Sequence, residues 1–326
     1  MNIAFVFPGQ GSQHTGMMAA YADHPEVRAT FDEASGALGD DLWELVDTGP
    51  AEALNLTRNT QPVMLTAGIA VWRAWLAAGG AMPAFVAGHS LGEYTALVAA
   101  GALAFRDAVP LVRFRAEAMQ DAVAPGQGAM AAIMGADDAA VIDACREAAQ
   151  GEVVEPVNFN APGQLVIAGN RAAVERAIIA AKARGAKRGV LLPVSAPFHS
   201  SLLKPAADKL AARLAQVPIS TPSIPVLHNV DVTTHAEPDA IRRALARQAA
   251  SPVRWTQTIG ALAARGVTHV VECGPGKVLT GLTRRIDERL MSIALSDDAA
   301  IAEARDTLAA ARRQVNCEDG SGHGHG

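Results

Sequence analysis

The sequence predicts an α/β protein: a larger domain on a parallel sheet, with a smaller α+β domain set into it. Three observations predict this. Short β-branched and aromatic runs alternate with stretches of helical period along most of the chain. One such run, Ala84-Phe85-Val86-Ala87, leads through Gly88-His89-Ser90-Leu91-Gly92 directly into a helical pattern. That is the strand–turn–helix setting of a G-x-S-x-G elbow, and it makes the larger domain α/β-hydrolase-like. After Pro125-Gly126-Gln127-Gly128 the order becomes strand, helix, strand, strand, helix, strand, the ferredoxin-like order.

Taken in order, Ile3 to Phe7 reads as a buried strand. The loop Pro8-Gly9-Gln10-Gly11-Ser12-Gln13 follows, placed like residues that line a sheet-edge crevice. Helical patterns come next over 25–38 and 61–78, then the elbow, then a helix from Phe105 to about Val123. In the smaller domain, strands are expected at 129–134, 153–159, 165–168 and 189–194, with helices at 137–149 and 172–183. Beyond Ser195 the helix–strand alternation resumes. Helices are expected at 200–216, 239–250 and 255–265, and strands at 225–229, 267–272 and 292–295. A helix follows Cys273-Gly274-Pro275-Gly276, and a last one spans 297–313. The expected division is 1–125 with 196–314 as the catalytic domain and 126–195 as the small domain. The Gly/Ser/His-rich tail, 315–326, is expected to be disordered.

The 326 residues are 50% hydrophobic and 19% charged, the composition of a globular chain. A net charge of −5 argues against nucleic acid as a partner. Three scattered cysteines make neither a disulfide framework nor a metal cluster, which suits a reducing compartment. No signal peptide and no membrane-spanning run is read, so the expected location is cytoplasmic. With no extended apolar seam, the expected state is a monomer.

Ser90 is a nucleophile at a helix N-terminus, or a helix-capping serine in a glycine-rich turn. A serine nucleophile needs a base beside it. Of the nine histidines, His199 stands out because it follows a predicted strand and opens a helix where the chain returns from the small domain. Arg113 and Arg115 share one predicted helix but not one face, so one can be solvated while the other points inward.

The motifs Phe7-Pro8-Gly9-Gln10-Gly11-Ser12-Gln13, Gly88-His89-Ser90-Leu91-Gly92-Glu93-Tyr94, Arg115 with Met119-Gln120, and Gly128-Ala129-Met130-Ala131-Ala132 stand in one order along the chain. They are followed by Pro156-Val157-Asn158-Phe159-Asn160-Ala161-Pro162-Gly163-Gln164, Pro197-Phe198-His199-Ser200, Gln248 with Pro252-Val253-Arg254-Trp255, and Gly274-Pro275-Gly276-Lys277-Val278-Leu279. Together they resemble the malonyl-CoA:acyl-carrier-protein transacylases, an acyltransferase family of fatty acid and polyketide synthesis. The resemblance covers nearly the whole chain.

The resemblance implies an acyl-enzyme on Ser90, His199 as general base and acid, and an oxyanion hole from the backbone N–H groups of Gln10 and Leu91. It implies that Arg115 binds the malonyl carboxylate and that the Gln248 amide accepts from the second nitrogen of His199. Asn158 and Asn160 would hold substrate or carrier. Phe198, where some relatives carry a small residue, would narrow the acyl pocket against an α-methyl branch. The substrate would be malonyl-CoA and the partner acyl carrier protein, with no bound cofactor and no metal. Lys187-Arg188 and Arg284-Arg285 are candidate docking pairs for an acidic carrier, or plain surface charges. The relatives include stand-alone polyketide malonyl acyltransferases and malonyl-loading subunits of malonate decarboxylases. The elbow alone would also suit a serine thioesterase or another hydrolase.

Overall fold

The computed structural model describes residues 2–194 and 196–320. Two sheets organise them. The first is a five-stranded sheet of β1 (Asn2–Phe7), β2 (Phe85–Gly88), β7 (Val226–Leu227), β8 (Val267–Cys273) and β9 (Met291–Leu295), in the order β7-β2-β1-β8-β9. Every pairing is parallel, and Phe7 lies beside Gly88 in the register. The second sheet has β3 (Gly128–Met134), β4 (Val154–Ala161), β5 (Gln164–Asn170) and β6 (Arg188–Leu191), in the order β4-β5-β3-β6. Its pairings are all antiparallel.

β1 shows why the first sheet forms. Its side chains alternate between two cores, as the period of a strand requires. Ile3, Phe5 and Phe7 join the cluster that holds Trp72 and Trp75 from the helix Thr57–Ala77. Ala4 and Val6 join Trp255, Ile259 and Leu262 from the helix Trp255–Ala264. Phe5 meets Trp72 and Trp75 with ring centroids 5.3 Å apart in each case. A strand covered on both faces must be apolar throughout, which is how it reads in the sequence. The second sheet packs the helices Asp138–Ala149 and Arg171–Ala183 over a separate apolar cluster.

A seam joins the second sheet to segments that pack beside the first. The Phe159 N–H donates to the Val253 carbonyl at 3.0 Å, and the Val253 N–H to the Val157 carbonyl at 2.8 Å. Arg285 reaches across to the Pro162 carbonyl at 3.0 Å and to the Gln164 side chain.

The differences from the expected elements have local causes. β4 runs on to Ala161 because that residue pairs with Gln164 of β5, so the turn to β5 shortens to Pro162-Gly163. β7 is two residues long because His228 and Asn229 turn into the interior. β6 ends at Leu191 rather than at 194. The expected helix over 200–216 opens with a 3-10 turn, Ser201–Leu203, before the helix Lys204–Leu214. Two short helices, Leu42–Asp47 and Ala51–Leu54, were not anticipated, since neither is long enough to show a period. The last helix, Asp298–Gly320, passes the expected end at 313 and covers 315–320 of the tail read as disordered. Residues 321–326 of that tail, with His323 and His325, lie outside the described residues. Among the described residues no helix is long and apolar enough to cross a membrane.

Candidate active site

The elbow is built from close approaches. A Cβ on Gly88 would lie 1.8 Å from the Gly92 carbonyl oxygen, and one on Gly92 would lie 2.0 Å from that of Phe7. Only glycine lets β2, the helix Gly92–Ala99 and the end of β1 come this near. Ser90 between them has φ 52°. Its Oγ is 2.7 Å from His199 Nε2. His199 Nδ1 lies 2.9 Å from the backbone carbonyl of Gln248. A carbonyl only accepts, so Nδ1 carries the ring proton and Nε2 is left to accept from the serine hydroxyl. Burial first, and then the Arg115 guanidinium, pull the His199 pKa from 6.5 down to about 3. The ring is therefore neutral, as a base must be.

This corrects one expectation. Gln248 meets His199 through its main chain and not through its side-chain amide. The amide is engaged elsewhere: Oε1 accepts from Arg115 Nη2 at 2.8 Å, and Nε2 donates to the Ser90 carbonyl at 2.8 Å and to Glu93 Oε2 at 3.1 Å.

Arg115, on the helix Phe105–Gln120, is 1% exposed. Its Nη1 donates to Gln61 Oε1 at 2.8 Å, and its Nη2 also reaches Ser90 Oγ at 3.2 Å. The guanidinium stands 5.3 Å from the centre of the Tyr94 ring. Arg113 points away from the site and pairs with Asp40 at 2.8 Å.

Ser90, Arg115, Gln61, Phe198 and Met130 line a cavity of about 110 Å³. That is room for about four waters. Gln10 and Val194 line both this cavity and a wider depression of about 590 Å³. The loop before Gln10 lies against the elbow, since a Cβ on Gly9 would stand 2.5 Å from the His89 carbonyl oxygen. The backbone N–H groups of Gln10 and Leu91 meet no acceptor among the described residues.

Asn158 lines the cavity with an Oδ1 that is buried without a partner. Asn160 is turned aside: its Oδ1 is 2.8 Å from His89 Nε2. Lys187, Arg188, Arg284 and Arg285 do not line the cavity. Lys187 and Arg188 are exposed, while Arg284 bonds to the Ser292 carbonyl at 3.3 Å. Among the described residues no cluster of histidine, cysteine, aspartate or glutamate has the placement of a metal site.

Gln61, Glu93, His228 and Asn229 were given no role from sequence. The available signals were the acidic residue directly after the elbow glycine, and a polar pair ending a short strand of a parallel sheet.

A family model for the acyl transferase domain matches residues 4–303. The malonyl CoA-acyl carrier protein transacylase of Salmonella typhimurium is 58% identical over 302 residues, covering 92% of this chain and 98% of that protein. The crystal structure of an acyl-carrier-protein S-malonyltransferase from Burkholderia pseudomallei superposes with a TM-score of 0.93 at 61% identity, covering 94% of this chain and all of that one. A malonyl-transacylase solved in complex with a type II polyketide acyl-carrier protein gives a TM-score of 0.93 at 51% identity, over 94% of this chain and all of that one.

Proposed function

The chain belongs to the acyl transferase family, and we propose that it moves a malonyl group from malonyl-CoA to the phosphopantetheine thiol of an acyl carrier protein, supplying fatty acid synthesis. Ser90 Oγ attacks the thioester carbonyl and gives its proton to His199 Nε2. The oxyanion forms opposite the Gln10 and Leu91 N–H groups. As the C–S bond breaks, His199 returns that proton to the departing coenzyme A thiol. The carrier thiol then loses its proton to His199 and attacks the ester, and Ser90 Oγ leaves with that proton. No metal or cofactor enters these steps.

The observation that carries the substrate is Arg115, a buried cation 3.2 Å from the nucleophile. A malonyl carboxylate takes the place of the Gln61 and Gln248 side-chain oxygens on its planar fork. Asn158 offers its free Oδ1 to the arm of substrate or carrier, while Asn160 acts by holding His89. Phe198 narrows the pocket beside the acyl α-carbon.

Residues 1–125 with 196–314 form the catalytic domain in this reading, and 126–195 the smaller one. The separate apolar core of the second sheet supports that division. Lys187-Arg188 and Arg284-Arg285 receive the acidic carrier. The protein works as a cytoplasmic monomer. The test is intact mass after incubation with malonyl-, acetyl- and methylmalonyl-CoA. One malonyl adduct, absent in Ser90→Ala, is expected, and an adduct retained in full by that variant would sink the assignment.

A further inference from the structure

At φ 52°, Ser90 occupies a conformation that a non-glycine residue keeps only when its surroundings hold it there. Two side chains hold the peptides on either side. Asn229, fully buried at the end of β7, spans the turn with its amide. Its Oδ1 accepts from the Ser90 N–H at 2.8 Å, and its Nδ2 donates to the Gly88 carbonyl at 2.7 Å. On the other side, Gln248 Nε2 donates to the Ser90 carbonyl at 2.8 Å. In a trans peptide the C=O and the next N–H point in opposite directions. With the Ser90 carbonyl turned in to Gln248, the Leu91 N–H is turned toward the cavity.

Asn229 is itself held. Its N–H donates to Glu93 Oε2 at 2.8 Å, and His228 Nδ1 stands 2.7 Å from Glu93 Oε1. All three residues are fully buried. A primary amide offers a donor and an acceptor at fixed spacing. A carboxylate in its place would face the Gly88 carbonyl oxygen with no proton to give.

We propose that Asn229 is a positioning residue for acyl transfer. It sets the peptide ahead of Ser90, as Gln248 sets the one after it, so that the serine oxygen faces the acyl carbon while the Leu91 N–H faces the acyl oxygen, and the Glu93–His228 pair fixes Asn229 in turn. This rests on the acyl-transfer reading above.

The test is single-turnover acylation of Asn229→Ala and Asn229→Asp by malonyl-CoA. A parallel reaction uses an alkyl fluorophosphonate, which needs the oxyanion donors but not the carboxylate site. The saturating rate constant should fall about 10²-fold, in line with loss of one oxyanion donor. The half-saturating concentration should stay within about threefold, because ground-state binding is untouched. Phosphonylation should slow in parallel. A saturating rate within about threefold of wild type in a folded variant, or a loss confined to half-saturation, would overturn the proposal. Should neither variant fold, Asn229→Ser, which keeps one of the two contacts, decides by the same criteria. If wild type takes up no malonyl group while phosphonylation still drops in the variants, the malonyl reading fails and the role of Asn229 stands.

Discussion

Ser90 and His199 both sit at positive φ, 52° and 66°, and their side chains meet at 2.7 Å. Each such residue costs about 1–3 kcal/mol and persists only where its surroundings over-determine it. At Ser90 the strain is local, and what holds it is not: Asn229 and Gln248 reach its backbone from 139 and 158 residues away.

Removing Arg115 should change which acyl group is chosen. On the role proposed for Arg115, Arg115→Ala leaves the malonyl carboxylate without its partner, and the preference for malonyl- over acetyl-CoA should fall by about 2–5 kcal/mol. Acetyl transfer loses nothing by that route. Arg113→Ala, whose partner is Asp40, should leave the ratio of specificity constants unchanged. A ratio that collapses in Arg113→Ala alone would put the carboxylate site elsewhere.

His199→Ala and Gln248→Ala should differ in kind. The first removes the proton acceptor and should slow acylation by about 10²–10⁴-fold. The second keeps the main-chain carbonyl that holds Nδ1, so the pH profile of acylation should not move. It does remove the acceptor for Arg115 and the donor to the Ser90 carbonyl. Slower acylation, because the Ser90 carbonyl and with it the Leu91 N–H are no longer held, and a stability loss of about 1–3 kcal/mol are the expected costs. A shifted pH profile would show that the side chain orients His199 after all.

Stability should fall in mild acid. Burial lowers the pKa of both His199 and His89 below the ordinary 6.5. The unfolded chain takes up protons at these rings below 6.5, while folded His199 resists until about 3. The stability they confer is therefore complete above 6.5 and is lost as the pH falls toward 3. Melting temperatures across that window should drop for wild type and drop less steeply for His199→Gln. Equal slopes would remove His199 as a contributor.

Two glycine-to-alanine changes should have opposite signs. In Gly92→Ala the methyl would stand 2.0 Å from the Phe7 carbonyl oxygen, and a loss of at least about 1–3 kcal/mol is expected. Gly281, within the helix Val278–Ile286, has nothing within 4 Å of that position. There alanine should gain about 0.5–1 kcal/mol through helix propensity. Denaturant midpoints of the two variants check both signs.

Reversing Lys187 and Arg188 should raise the Michaelis constant for the carrier and not for malonyl-CoA, with the effect fading in salt. Arg284 and Arg285 should give a mixed result, because Arg285 also ties the turn after β4 to its neighbour. Carrier kinetics at low ionic strength that match wild type would remove the pairs from the interface.

Much of this was legible in the sequence because it is encoded locally. The helix Pro25–Leu38 has both its predicted ends, since proline opens it and Gly39 at φ 80° closes it. The elbow is legible because its glycines, serine and flanking apolar runs are contiguous. The network beneath it is not. Asn229 meets Ser90 from 139 residues away, and Gln61 meets Arg115 from 54, so no local pattern marks either pairing. The acceptor for His199 is a main-chain carbonyl, a group every residue carries, so the side chain of Gln248 suggested the wrong atom.

The seam between the sheets gives the pocket a gauge. Met130 and Asn158 line it from the antiparallel sheet, while Ser90 and Leu91 line it from the elbow. The strand pairing at Val253 and the Arg285 bridge hold these two walls together from outside the pocket. Loosening that joint, as in Arg285→Ala, should broaden the range of acyl lengths accepted before it slows malonyl transfer, which a series of acyl-CoAs of rising length would record.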